Sequence, residues 1–321
     1  MLGRETFFVR GKTMKISLEP YLIKEKSKVS LKDFSTRADS KIKREEVEQK
    51  IFPSITQEIC VLQEKLWAEH RHGLIILFQG MDAAGKDSAV KRVFSEVNPA
   101  GLSIVSFKAP SSEELDHDYL WRINKALPQR GVIGIFNRSH YEDVVTVRLH
   151  NLISSGTLPD EIKNDADIWK DRYEQICNWE KYLYQNGFRM IKIFLHVSKE
   201  EQRARLAERI INPEKHYKFD LSDIRERQYW DKYQDLYSDM LSRSSTRYAP
   251  WYVLPADNKW YTRTLIAMLV RDVLKDIDPK FPPMAEDVKG QIHTIQKLFE
   301  DVDIKEFGEM LKKLTKSKAD K

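Results

Sequence analysis

Cysteine is almost absent from the chain: the 321 residues contain two, Cys60 and Cys177. They lie far apart and fit no zinc-ligand spacing, which excludes a disulfide framework and a thiolate metal site and suits a reducing compartment. Glycine and proline are sparse as well, at 12 each, so collagen-like repeats and long flexible linkers are excluded. No apolar run approaches the roughly 18–20 residues that cross a bilayer. Residues 1–15 carry basic side chains without an apolar stretch, so no secretory leader is expected. The expectation is a cytoplasmic protein with no membrane partner. A strong excess of one charge is also missing, since 54 Lys and Arg against 49 Asp and Glu leave only +5. That balance gives no reason to expect nucleic acid as a partner.

What is present is an alternation of short apolar runs and helical stretches. The runs 74–78, 102–107, 132–136, 190–197 and 251–255 have strand length and end at polar or turn residues. Helical spacing fills the intervals, at about 86–97, 112–126, 138–150, 164–187, 198–211, 222–245 and 258–276, and also at 42–71 ahead of the first run. Continuously apolar strands that alternate with helices predict an α/β fold, a parallel five-stranded sheet sandwiched by helices. The expected layout is a polar arm over 1–41, one domain over 42–278 and a tail over 279–321. An amphipathic segment at 285–315 in that tail reads as a packing helix or frayed end. Oligomers are common enough that a homo-oligomer, dimer or tetramer, is expected.

The strongest motif follows the first run: Gly80-Met81-Asp82-Ala83-Ala84-Gly85-Lys86, then Asp87-Ser88. A phosphate needs several donors at close range, and backbone N–H groups supply them only where side chains stand aside. Gly80 and Gly85 give that clearance around Ala83 and Ala84, and the helix opening at Lys86 adds its positive end. Lys86 brings a compact charge. The strand before and the helix after make this a P-loop rather than a glycine turn with a surface lysine. Asp87 stands where P-loops usually carry a magnesium-binding Ser or Thr. Asp82, inside the loop, makes sense if it faces a divalent cation or the acceptor group.

A second cluster closes the run 132–136: Asn137-Arg138-Ser139-His140-Tyr141-Glu142-Asp143. It belongs at the same sheet edge as the P-loop, where such enzymes commonly keep a metal-binding carboxylate. Asn137 supplies no charge there, so Glu142 and Asp143 become the metal candidates beside Asp82. Arg138 and Glu142 are also spaced to pair on a helix face, and His140 is equally readable as structural. The third feature is basic: Arg203, Arg205 and Arg209, then Lys215 and Lys218. It reads as a mobile lid, about 200–221, that folds cations over transferring phosphates, or as a solvated helix with Glu–Arg pairs. Lys108 and Arg122, after the run 102–107, are placed beside the same cleft. Trp251 and Tyr252 read as core residues more readily than as a platform for a base.

Together these segments resemble the polyphosphate kinase 2 family, from about residue 52 to residue 281. The resemblance rests on the P-loop block through Asp87, on Ser106-Phe107-Lys108-Ala109-Pro110 and on Tyr119-Leu120-Trp121-Arg122. It rests further on the block 137–143, on Asn212-Pro213-Glu214-Lys215 with Lys218-Phe219, and on Ala249-Pro250-Trp251. It implies a P-loop kinase fold with a helical lid, and catalytic roles for Asp82, Lys86, Asn137 and Arg138. Phosphate contacts are implied for the loop, for Lys108, Arg122 and the lid cations, and nucleotide contacts for Asn137, Arg138, His140, Tyr141 and Glu142. Magnesium is the implied cofactor, with manganese as the alternative. Many members carry Asp where this chain has Asn137, which shifts metal binding toward Asp82, Glu142 and Asp143.

The activity implied is transfer of phosphate from inorganic polyphosphate to AMP and ADP, making ADP and ATP. Guanine acceptors and the reverse direction stay open. Two rivals remain at this point: an ATP-dependent nucleoside monophosphate kinase, and a non-catalytic P-loop protein that binds nucleotide or an acidic polymer.

Overall fold

The structure is a computed structural model that describes residues 4–9, 12–153 and 156–292, with side chains from Ile16 onward. Residues 1–280 form one compact unit and residues 281–321 a second, whose described part contains the short helix Glu286–Lys289. Most of the amphipathic segment expected at 285–315 lies outside the described residues.

Strands β1 (Arg4–Val9) and β2 (Lys12–Ser17) form an antiparallel hairpin of their own. The main sheet holds β3 (Gly73–Gln79), β4 (Leu102–Ser106), β5 (Ile133–Asn137), β6 (Phe188–His196) and β7 (Trp251–Pro255). They are all parallel in the order β4-β5-β3-β6-β7. All five appear where the apolar runs predict them. Burial explains the runs: every residue of β3 and β7 is buried, as continuous apolar sequence requires of strands covered on both faces. Edge strand β4 is the exception, with Ile104 exposed.

The principal helices are α1 (Phe52–Glu69), α2 (Lys86–Val93), α3 (Ile168–Gln185), α4 (Lys199–Ile211), α5 (Leu221–Glu226), α6 (Trp230–Ser244) and α7 (Lys259–Ile277). The order of the strands reverses about β3, whose neighbours are β5 and β6. Ligands of such sheets bind beyond the strand C-termini at that reversal, and the P-loop begins there.

The arm departs from its polar reading. From Ile16 onward it is a strap packed on the domain, with Ile16, Leu18, Ile23 and Leu31 buried. Leu22 bridges Tyr252 in antiparallel fashion, and the Ile23 N–H donates to the Trp251 carbonyl at 2.9 Å. The strap thereby covers the free edge of β7, the kind of edge that otherwise invites pairing with another chain.

Candidate active site

Leaving β3, the chain passes through left-handed conformations at Gly80 (φ 139°), Ala83 (φ 60°) and Gly85 (φ 110°). A Cβ at Gly80 would stand 2.7 Å from the Leu195 carbonyl oxygen, so β6 leaves no room for a side chain. Lys86 folds back across the loop, its Nζ donating to the Gly80 carbonyl at 2.8 Å and the Met81 carbonyl at 3.3 Å. Burial pushes its ammonium pKa down, assisted by Arg138 and resisted by Asp82, Glu142 and Asp87.

The end of β5 supplies the facing wall. Arg138 takes a left-handed backbone (φ 64°), and its N–H donates to the Phe78 carbonyl at 3.0 Å. Its guanidinium pairs with the Asp82 carboxylate, and the Asn137 amide donates to Asp87. Burial works against the charge on Arg138, but Glu142 and Asp82 outweigh it and push the pKa up.

Loop, wall and lid enclose a cleft of about 850 Å³. Lys86, Lys108, Arg138, Arg205, Arg209, Lys215, Lys218 and Lys259 line it, against the carboxylates of Asp82, Asp87, Glu208, Asp220 and Asp223. Gly85, Ala83 and Ser88 complete the loop side. A smaller hollow of about 330 Å³ shares Ser106, Phe107, Lys108 and Ala109 with the cleft and adds Arg122 and Lys125. Arg122 there donates to the Lys108 carbonyl at 2.9 Å and lies over the Phe107 ring.

Several expected site residues stand elsewhere. His140 and Tyr141 are fully buried in the 3-10 turn His140–Asp143 and are not among the cleft-lining residues. Tyr141 donates to Glu180 at 2.8 Å and accepts from Lys192 at 2.8 Å, while His140 Nε2 lies 3.7 Å from Glu180. Asp143 is closed in by Arg172 at 3.3 Å, and burial raises its pKa to about 6 despite that partner. Glu142 accepts from Thr146 at 2.5 Å and is not among the cleft-lining residues, although it sits close enough to act on Arg138. Arg203 is exposed and outside the cleft.

Arg205 lines the cleft but spends its donors on backbone carbonyls and Glu201, which leaves none for a phosphate. Arg209 is held by Asp223 at 2.7 Å and by the Lys218 carbonyl at 3.0 Å, and Lys215 pairs with Glu208. Lys259, Asp220, Ser222 and Asp223 were not singled out in the sequence, yet they line the cleft. Lys259 had one available signal, its position at the start of the helix that follows the last strand.

Among the described residues no group of three or more His, Cys, Asp or Glu side chains is arranged to hold a metal. Magnesium, however, is held through one or two carboxylates with substrate phosphates and water. Asp82 and Asp87 both face the cleft, and buried Asn137 Oδ1, beside Asp87, has no hydrogen-bond partner. Hard oxygens of this kind suit a small divalent cation; the enclosed Asp143 does not.

A family model described as Polyphosphate kinase 2 (PPK2) matches residues 41–282. An ADP-polyphosphate phosphotransferase of Rhodopseudomonas palustris is 40% identical over 270 residues, covering 84% of this chain and 93% of the relative. An AMP/ADP-polyphosphate phosphotransferase of Meiothermus ruber is 42% identical over 221 residues, 69% of this chain and 79% of the relative. The crystal structure of polyphosphate kinase 2 from Arthrobacter aurescens TC1 superposes with a TM-score of 0.77 at 34% identity, covering 84% of this chain and 94% of that one. With a P-loop facing a basic cleft on the same parallel sheet, this chain belongs to the polyphosphate kinase 2 family.

Proposed function

We propose that the protein transfers the terminal phosphoryl group of inorganic polyphosphate to AMP and ADP, producing ADP and ATP. The observation that carries this reading is the number of cations, among them Lys86, Lys108, Arg209, Lys215 and Lys218, that line one cleft. Such a lining suits an extended polyanion better than a single nucleotide. The relatives named for AMP and ADP supply the acceptors.

An oxygen of the nucleotide's terminal phosphate attacks the terminal phosphorus of the chain in line. The bond from that phosphorus to the next bridging oxygen breaks, and the shortened polyphosphate leaves with the electron pair. The P-loop amides and Lys86 hold the transferred group, and Arg138 exchanges Asp82 for phosphate oxygens as charge spreads. No protein nucleophile is needed, because positioning and electrostatics suffice for this chemistry. Asp82, Asp87 and Asn137 Oδ1 would hold magnesium, or manganese in its place, which when bound neutralises phosphate charge. A cytoplasmic location goes with this reading, since the nucleotide pool is there and Cys60 and Cys177 stay reduced.

The test is a donor–acceptor matrix of polyphosphate or ATP against AMP, ADP, GMP and GDP, with and without magnesium. ATP formed from ADP with polyphosphate as sole donor, above the ADP-only background, is the expected result. Transfer from ATP alone would make the protein a nucleoside monophosphate kinase instead. Nucleotide binding without transfer would make it a regulator.

A further inference from the structure

Arg205 braces the P-loop, with Gln202 beside it donating to the Asp82 carbonyl at 3.1 Å, and Arg205 is tied to the strap. Arginine has five N–H donors, and in Arg205 each has a partner. Nε donates to Glu201 at 2.9 Å, and Nη1 to the Ala83 and Ala84 carbonyls at 3.0 and 2.7 Å. Nη2 donates to the Ala256 and Asp257 carbonyls at 2.6 and 3.3 Å. The Ala84 carbonyl and the Gly85 N–H share one planar trans peptide and point opposite ways. Holding that oxygen on Arg205 therefore fixes the direction of the Gly85 N–H as well.

Asp257 is the second joint. Its Oδ1 accepts from the Ser198 N–H at the start of α4 at 2.8 Å, and its Oδ2 from the Thr36 hydroxyl at 2.8 Å. Its N–H donates to the Thr36 carbonyl at 2.9 Å, and next to it Asn258 Oδ1 accepts from the Ala38 N–H at 2.9 Å. Asp257 does not line the cleft. Thr36 lies in the strap, outside the 41–282 stretch that the family model matches.

We infer that Thr36 and Asp257 are positioning residues for phosphoryl transfer: they fix the end of β7 and the start of α4, between which Arg205 holds the P-loop carbonyls. The inference rests on the proposed function, in which that loop carries the transferred phosphate. It gives the strap a catalytic consequence although no strap residue touches the cleft.

The test compares Thr36→Val, which keeps shape and loses the hydroxyl, with Thr36→Ser, which keeps the hydroxyl, and with Asp257→Asn. Three quantities are read: amide hydrogen exchange in the peptide 80–87, kcat and KM with polyphosphate and AMP, and Tm. Loss of one such hydrogen bond corresponds to about a fivefold change. Thr36→Val and Asp257→Asn are expected to raise exchange in 80–87 and lower kcat by about that factor, with KM for AMP little changed. Thr36→Ser should restore both quantities.

Unchanged exchange in 80–87, unchanged kcat per folded molecule whatever Tm does, or failure of Thr36→Ser to rescue would each overturn the inference. The wild-type protein in the same assay separates the two ideas. If it transfers no phosphate from polyphosphate, the proposed function falls, whereas the exchange comparison still decides whether the relay holds the loop.

Discussion

Two ion pairs flank the same turn of chain, 138–143, and live in opposite surroundings. Arg138 and Asp82 meet in the cleft with side chains 40% and 24% exposed, whereas Lys192 and Glu180 meet beneath it at 0% each. Only Ser139 and His140 separate Arg138 from Tyr141, which belongs to the buried group. In the buried pair every obligation is met: Lys192 Nζ donates to Glu180 at 2.7 Å, to Tyr141 at 2.8 Å and to the Ser244 carbonyl at 2.7 Å. Burial is the largest influence and opposes the Glu180 charge, but Lys192 and His140 together outweigh it and hold the carboxyl below its usual range. Removing one partner of such a pair is costly, and through Tyr141 the pair is tied to the turn that follows β5. The cleft pair is screened by water, so its arginine can trade one anion for another. Burial, not the type of contact, separates scaffold from chemistry here.

The largest expected break of that contrast is Lys192→Met, which strands a buried carboxylate. It should cost about 3–5 kcal/mol in urea unfolding, while kcat per folded molecule stays close to wild type. A midpoint left unmoved would mean the buried pair holds nothing. Arg138→Ala should do the reverse, lowering kcat/KM for transfer by about 10²–10³ with a small change in Tm, because a solvent-accessible pair contributes little to stability. Normal turnover in that variant would remove Arg138 from the mechanism.

Asp143 with Arg172 is an intermediate case that sharpens the comparison through pH. Its folded pKa of about 6 lies above the unfolded value of 3.8, so the folded protein binds its proton more tightly. The resulting stability is fully present below the unfolded value and is lost as pH rises through about 6. The unfolding free energy of the wild type in urea should therefore gain on that of Asp143→Asn as pH falls from 7 to 4.5, by on the order of 2 kcal/mol. Parallel curves would show that the carboxyl titrates normally. The smallest effect belongs to Arg203→Ala. Exposed and outside the cleft, it should change kcat/KM by less than about twofold at physiological salt, where such charges are screened, and a larger loss would return Arg203 to the lid's working set.

The parallel sheet and P-loop could be read from the sequence because both are local patterns: an apolar run, a turn with two glycines, a helix start. The three arginines of α4 could not be told apart that way. Gln202, Arg205 and Leu206 form its buried face, but two of those three are polar, and an apolar periodicity registers only the leucine. His140 and Tyr141 misled for a related reason. Polar rings beside a cleft-lining arginine look like ligands, and only the inward 3-10 turn shows that they pack against Glu180 and the core. The strap was hidden because, after Ile16 and Leu18, its buried residues Ile23 and Leu31 continue neither a helix nor a strand period. Each fits a site made by distant residues, such as Ser238 and Ser242, whose hydroxyls accept from the Leu31 and Val29 N–H groups at 3.2 and 2.8 Å.

The Arg205 brace also has a meaning in time. During synthesis the P-loop leaves the ribosome long before Ala256 and Asp257, the carbonyls against which Arg205 holds it. At roughly 5–20 residues per second, the interval lasts on the order of ten to thirty seconds. Throughout it the loop's sequence is complete and its support is not. A nascent or truncated chain ending before β7 therefore lacks two of the carbonyls that hold Arg205, and the brace on the P-loop is complete only once the last strand of the sheet has been inserted.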